Sequence, residues 1–427
     1  MKSVSQVTVA VAAIAAIVLG LGGCQSAPRG ESMVGGWVAP GFEGVREEFE
    51  RNFSERGESG AACAVYWKGE KVVDLWGGYR DAKTKDPWKE DTMVLVFSAT
   101  KGMAAMTFAH ARSRGILDYD EKVAAYWPEF AQAGKESITV RQLLGHEAGL
   151  VLLDEALPAD RVMDHEFASA LLAKQKPYWT PGERHGYHSS TIGLYMAELL
   201  RRVDPAGRSI GRYFAEEIAA PLGLEFYIGL PAEIPDSRVA KLIMTSPVAG
   251  LFNLGKMPKG MRAKMLDFNS YIMKSFSIPK DYDPGSREGW SIELAAGNGI
   301  GTARSMAKAY GEFATGGKTL GIGTEILALL EAPPVTPPAG PLDEVLGFDS
   351  WYSLGYMRPS PSLSFGSSPK AFGTAGAGGN FAFADPDAGV GFAYQMTKMG
   401  YYATDDPREK ALRDAVYAAI RAKGGLK

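Results

Sequence analysis

The sequence predicts an α+β fold in which an antiparallel sheet is assembled from the two ends of the chain, flanked by helices and interrupted by an α-rich insertion. Three observations predict it. Alternating strand patterns occur early, in "AACAVYWKGEKVVDLWGG", and return late, in "SLGYMR" and "NFAFADPDAGVGFAYQMT". Between them, from Ser98 to about Gly223, the pattern has helical spacing. Helices also precede the first strands and close the chain, in "FEGVREEFERNF" and "REKALRDAVYAAIRAK".

The resulting division places the sheet in about 42–97 and 296–425, and a helical or irregular insertion in about 98–295, within one body spanning 42–425. The chain of 427 residues is long enough for a large core, and its 46% apolar and 22% charged composition is that of a globular protein. With a formal net charge of −3 and no basic stripe, it shows no footprint for nucleic acid.

The opening "MKSVSQVTVAVAAIAAIVLGLGGCQSAPRG" has one lysine, an apolar run from Val7 to Leu21 and then small residues, which reads as a signal peptide over 1–23. Leu21-Gly22-Gly23-Cys24 resembles the bacterial lipoprotein cleavage box, which implies lipidation of Cys24 and a periplasm-facing membrane lipoprotein of the cell envelope. An ordinary leader cut near Cys24 is the alternative. Residues 24–41, rich in Gly, Pro and Ser, are expected to form a tether, with folding starting after it. Cys63, the other cysteine, is expected to be a small buried hydrophobe.

Along the body, the first helix is followed by a hairpin around Lys68-Gly69-Glu70. Helices are predicted in "TKGMAAMTFAHARSRG", "TVRQLLGHEAGL", "EFASALLAKQK", "STIGLYMAELLRRV" and "IGRYFAEEIAAPLG", several closed by Gly or Pro. Residues 225–295 are rich in Met, Pro and Gly without clear periodicity, so no element is assigned there. "GTARSMAKAYGEFATGG" reads as a further helix before the late strands.

Several chemistries are excluded by spacing. The five histidines are His110, His146, His165, His185 and His188, so "GRSIG" at 207–211 has no later histidine to serve a nucleophile elbow, and Ser209 reads as a helix cap. "HEAGL" lacks the second histidine of a zinc motif, and no phosphate-binding glycine loop follows a strand. No metal and no cofactor are expected.

S-x-x-K occurs four times, at Ser98/Lys101, Ser277/Lys280, Ser305/Lys308 and Ser367/Lys370. Pro279 and Pro369 spoil a helical turn in two copies, and the copy at 305 reads as a cap on a partly polar helix. Only Ser98 follows an extended apolar run, "MVLVF", and opens a helix whose body, "GMAAMTFAHA", is too apolar for the surface. On such a helix Lys101 Nζ reaches Ser98 Oγ. Burial and the helix N-terminus both disfavour an ammonium there and so prepare a base for a serine nucleophile.

The segments "FSATKG", "ITVRQLLGHEAGL", "PGERHGYHSSTIGLYMAELLRRV" and "GNGIGTARSMAKAYGEFATGG" together resemble the serine β-lactamase-related family of class C β-lactamases, D-alanyl-D-alanine peptidases and β-lactamase-fold esterases. The resemblance spans about Phe42 to Ile420 and implies the β-lactamase/transpeptidase-like fold. It implies Tyr187 of "GYHSST" as partner of Lys101, and the backbone N–H groups of Ser98 and Ala377 as oxyanion hole. The family's third motif falls on Thr374-Ala375-Gly376, which lacks the usual basic residue and following hydroxyl, and Ser189 stands where class C enzymes carry asparagine. Ser189, Thr374 and Gly376 are therefore the expected substrate-binding positions, with recognition of a substrate carboxylate weakened. Arg184 or His185 could replace the lost charge.

The expected function is that of a secreted serine hydrolase working through an acyl-enzyme, an esterase on small acyl esters, with a small ester or amide as its substrate partner and the membrane reached through the lipid anchor. Two alternatives stay open: a D-alanyl-D-alanine carboxypeptidase or β-lactamase, and a non-catalytic envelope lipoprotein that binds without turnover.

Overall fold

The computed structural model describes residues 33–245, 250 and 252–426. The expected signal peptide, Cys24 and the tether up to residue 32 lie outside the described residues. Twelve strands are formed among those described: β1 (Val34–Val38), β2 (Gly60–Trp67), β3 (Glu70–Asp81), β4 (Asp86–Pro87), β5 (Val94–Leu95), β6 (Phe226–Ile228), β7 (Gly299–Gly301), β8 (Tyr352–Ser353), β9 (Tyr356–Met357), β10 (Phe372–Gly376), β11 (Asn380–Asp385) and β12 (Val390–Met396). The main helices are α1 (Glu43–Ser54), α2 (Thr100–Ser113), α3 (His165–Lys174), α4 (Thr191–Val203), α5 (Ala303–Ala314) and α6 (Pro407–Ala422).

One nine-stranded antiparallel sheet runs in the order β1-β3-β2-β12-β11-β10-β9-β8, with β4 paired to β3. The two ends of the chain meet in its centre, where Cys63 on β2 stands opposite Tyr394 on β12. β1 corrects the tether boundary: Val34 to Val38 pair with β3 from Gly77 to Val73, so the sheet begins before residue 41. A row of backbone donors and acceptors on β3 outweighs the loop-like composition of "VGGWV".

Alternation along the strands sorts side chains by size onto two faces. Val65, Phe381, Phe383, Phe392 and Tyr394 point to the layer of α1 and α6, where they meet Phe42, Phe49, Leu412 and Val416. Each buried phenylalanine there contributes about 1.5–3 kcal/mol. The other face carries Ala62, Ala64, Ala382, Ala384 and Ala393 under α5 and the insertion. Gly391 shows why small residues are needed on it, since a Cβ there would lie 2.2 Å from the Gly311 nitrogen of α5. The β2–β3 hairpin turns through Lys68 and Gly69 with φ of 53° and 86°. Cys63 is fully buried, and that burial pushes its thiol up, out of the reactive range.

The insertion holds α2 to α4 and β6, which completes a second sheet, β5-β7-β6, with strands just before and just after the insertion; no strand signal announced β6 or β7. Residues 225–295 supply β6 and short helices at Lys259–Leu266, Tyr271–Ser275 and Arg287–Ser291. Elements of five to eight residues are too short to establish a period.

Candidate active site

The chain leaves β5 through Phe97, held at φ 48° and bridged to Asn298, before Ser98 and α2. A bulky residue in this left-handed region is strained and persists only where its surroundings fix it. Thr100 Oγ1 provides such a constraint, donating to the Phe97 carbonyl at 2.5 Å and accepting the Gly299 N–H at 2.7 Å. Asn298 is fully buried and spends Nδ2 on the carbonyls of Gly289, Trp290 and Ile292, while its Oδ1 accepts the Tyr282 hydroxyl. Ser98 is thus presented, half-buried, at the head of a helix buried from Thr100 to Ala111.

Lys101 is 2% exposed and makes no ion pair among the described residues. Its Nζ lies 3.1 Å from Ser98 Oγ and 2.7 Å from each of the carbonyl oxygens of Ser189 and Ala296. Burial without a carboxylate drives its pKa well below the ordinary lysine value. The two carbonyls can only accept, so a neutral amine spends its two N–H bonds on them and turns its lone pair to the Ser98 hydroxyl. That geometry would let a neutral Lys101 take the proton of Ser98 Oγ.

Tyr187 covers the same amine, with Lys101 Nζ 4.7 Å from the centre of its ring. Its hydroxyl is buried and completes no hydrogen bond among the described residues. Burial raises the phenol pKa, the nearby Ser98 hydroxyl acts in the opposite sense, and the Asp343 charge adds to the rise. A phenol kept protonated can give its proton to a leaving group. Asp343 fixes its backbone, accepting the Tyr187 N–H with Oδ1 and Oδ2 at 3.1 and 3.0 Å. The same carboxylate accepts Val345 N–H, Leu346 N–H and the Tyr352 hydroxyl at 2.8, 2.7 and 2.7 Å. The His146 ring packs against both Tyr187 and Tyr352, at 5.1 and 4.6 Å between centroids, while the two tyrosine rings stack at 6.2 Å. His188 is structural: Nδ1 donates to the Gly186 carbonyl, Nε2 accepts the Leu150 N–H, and burial lowers its pKa to about 4.

The backbone N–H groups of Ser98 and Ala377 make no hydrogen bond among the described residues, and Ala377 is exposed. Between them in sequence, directly before Ala377, stands Gly376: a Cβ on it would lie 2.1 Å from the Val96 carbonyl and 3.1 Å from the Ala99 nitrogen, so only glycine lets the end of β10 abut the Ser98 turn. Ser189 joins the site through its carbonyl, and the residue is half-buried.

Thr374 is the correction. It is 2% exposed, and its hydroxyl accepts the Gly102 N–H at 3.1 Å, contacts the Tyr310 hydroxyl at 3.0 Å and donates to the Ala99 carbonyl at 3.3 Å. It braces β10 against α2 from below and is not available to a substrate. Nor is the lost charge replaced from the facing loop. Arg184 pairs with Glu183 and Glu344 at 3.1 Å each, and His185 is buried with Nε2 on the Pro341 carbonyl.

The remaining motifs are structural. Ser209 caps its helix by accepting the Arg212 N–H. Thr302, rather than Ser305, caps α5, while Ser305 is buried and accepts the Glu225 N–H. No cluster of three or more His, Cys, Asp or Glu is placed to hold a metal among the described residues. Sequence reasoning missed the two carbonyls on Lys101 and the Asp343–Tyr352 support of Tyr187. Backbone acceptors carry no residue signature, and "PLDEVLGF" reads as an ordinary loop.

Comparison with known proteins bears on this geometry. The family described as Beta-lactamase matches residues 47–417. The chain is 33% identical over 380 residues to the Esterase/beta-lactamase LipL of Mycobacterium tuberculosis, covering 87% of this chain and 85% of the relative. It is 25% identical over 401 residues to Esterase EstB of Burkholderia gladioli, covering 87% and 93%. Two solved structures superpose closely, each at 36% identity over 90% of this chain and 99% of the other. They are a family VIII carboxylesterase, with a TM-score of 0.77, and a penicillin-binding protein homologue from Caulobacter crescentus, with a TM-score of 0.78.

Proposed function

This chain belongs to the beta-lactamase family and is a serine hydrolase of the β-lactamase fold, and from that premise we propose that it is an esterase acting on small acyl esters through an acyl-enzyme on Ser98. The observation that carries the reading is the Lys101 amine, buried without a counter-ion and held by two carbonyls with its third contact on Ser98 Oγ.

In this mechanism Ser98 Oγ attacks the ester carbonyl carbon as its proton passes to Lys101 Nζ. The carbonyl oxygen, now negative, is held by the N–H groups of Ser98 and Ala377, each donor of this kind being worth about 10²–10³ in rate. As the tetrahedral carbon collapses, the alcohol oxygen leaves with a proton delivered through the Tyr187 hydroxyl, which is replenished from Lys101. Positioned proton transfer contributes about 10²–10⁴. Water then attacks the acyl-serine along the reverse path, restoring Ser98 and releasing the acid.

Preference for an ester over a carboxylate-bearing lactam or stem peptide is supported by the commitments of Thr374, Arg184 and His185 to other partners. The test compares the protein with its Ser98→Ala variant on a short p-nitrophenyl ester, a chromogenic cephalosporin and a D-Ala-D-Ala peptide. Ester turnover that disappears in Ser98→Ala is expected. Equal rates for both proteins on every substrate would refute catalysis, and turnover of only the cephalosporin or peptide would refute the ester preference.

The opening residues support export and anchoring in a bacterial envelope through lipid on Cys24. Release from membranes only by detergent is the expected outcome for the native chain, and Cys24→Ala should convert it to material that high salt releases without detergent.

A further inference from the structure

The stretch from 252 to 280 differs from the rest of the surface in two ways. It contains every exposed phenylalanine among the described residues: Phe252, Phe268 and Phe276 are 84%, 81% and 60% exposed, and Leu266 is 55% exposed beside them. Single exposed apolar residues are ordinary, but four within one short segment are not. The same stretch carries Lys256, Lys259, Arg262, Lys264, Lys274 and Lys280 against one acid, Asp267, in a chain whose net charge is −3. None of the six basic side chains makes an ion pair among the described residues, whereas basic side chains elsewhere repeatedly do.

The inner side of this segment is fixed. Ile272 is 4% exposed and packs in one cluster with Val151, Tyr187 and Val345. A Cβ on Gly260 would overlap the Gly347 carbonyl, so the helix Lys259–Leu266 lies directly on that loop. Ser190 Oγ donates to the Ser275 carbonyl at 3.1 Å, and Tyr271 packs edge-on against Tyr178 and Trp179. The segment therefore walls the Tyr187 side of the active site with its inner side, and its outer side presents aromatic and basic groups to solvent. Aromatic side chains among lysines that have no acidic partner, Lys256 being stacked on the Tyr401 and Tyr402 rings, suit an interface with an apolar interior and an anionic surface.

We propose that residues 252–280 form a docking surface for an anionic lipid bilayer, with Phe252, Leu266, Phe268 and Phe276 entering the headgroup boundary and the surrounding lysines facing lipid phosphates. Charge complementarity selects this occupant, since a purely apolar partner would leave six cations without counter-charges. Docking places the Tyr187 side of the active site against the membrane, and it does not depend on turnover at Ser98.

The test uses the full chain as Cys24→Ala/Phe268→Cys, so that a nitrobenzoxadiazole reporter attaches at 268 while buried Cys63 stays unlabelled. Vesicles of phosphatidylcholine with about one-third phosphatidylglycerol should shift the reporter emission to the blue and raise its intensity. Pure phosphatidylcholine should require at least about tenfold more lipid for the same change, because each basic residue adds to binding at an anionic surface. Adding Lys256→Glu, Lys259→Glu and Lys274→Glu, all at exposed positions, should abolish the response while leaving the circular dichroism spectrum unchanged. The proposal is overturned by an unresponsive reporter, by equal responses to the two vesicle types, or by a response to the anionic vesicles that survives the lysine changes. A blue shift that grows with protein concentration without lipid would assign the surface to a second copy of the chain instead.

Discussion

Asp343 grips the backbone of Tyr187 with both carboxylate oxygens, at 3.1 and 3.0 Å, from a loop 156 residues further along the chain. Nothing else described holds the Tyr187 N–H, and three more donors close around the same carboxylate. Asp343→Ala would strand these buried donors, at about 1–3 kcal/mol for each group left unpaired. The expected result is a Tm lower by several degrees and a fall in kcat of about 10²-fold with a smaller change in KM, because a tyrosine displaced by an ångström no longer meets the leaving group. Tyr352→Phe removes one donor and should give a milder form of both effects. Steady-state kinetics with thermal melts checks the pair.

Lys101 ties activity and stability to pH in the same direction. Only the neutral amine can take the Ser98 proton, so kcat/KM should rise with pH through the depressed Lys101 pKa and then level off. For stability, the native lysine resists protonation while the unfolded one takes a proton up to about its ordinary value of 10.5. Between those two values the unfolded chain binds more protons, so stability conferred by this group increases with pH. Lys101→Met should abolish turnover and remove that part of the slope. Denaturant midpoints of both proteins, measured from neutral pH to pH 10, would show their difference narrowing or reversing as pH rises. Parallel curves would mean that Lys101 is charged in the native state.

How legible this was follows from the reach of each interaction. The hairpin at Lys68-Gly69 and the Ser98–Lys101 pair are local, so spacing together with the flanking apolar pattern identifies them. Tyr187 was indicated only by resemblance, since nothing in "GYHSST" itself points to an amine 86 residues upstream in sequence. β1 lay hidden in a glycine-rich stretch because its order comes from pairing with β3. Asp343 is set by a distant backbone N–H and left no local trace. Thr374 carries a usable signal in its strand position: it shares a strand face with the buried Phe372, which turns its hydroxyl toward α2.

Gly376 links backbone geometry directly to transition-state stabilisation. Gly376→Ala places a methyl 2.1 Å from the Val96 carbonyl, a contact that only backbone movement relieves. Movement at this residue carries Ala377 away from Ser98 and weakens one oxyanion donor. A drop in kcat of about 10²–10³-fold is expected. Rapid-quench kinetics should locate the loss in acylation and deacylation alike, since both pass through the same oxyanion.

Thr374→Val separates bracing from substrate recognition. Valine matches threonine in shape but cannot accept the Gly102 N–H or bond to the Tyr310 hydroxyl, both of which are buried. The expected cost is about 1–3 kcal/mol of stability, for polar groups left without partners. Because the threonine lies below the site, the ratio of ester to cephalosporin turnover should stay as it is in the native protein, even as both rates fall with any loosening of the α2 N-terminus. A selective change in cephalosporin turnover would instead place the hydroxyl in contact with the substrate and overturn its assignment as a brace. Measuring both substrates at a temperature well below the variant's Tm distinguishes these outcomes.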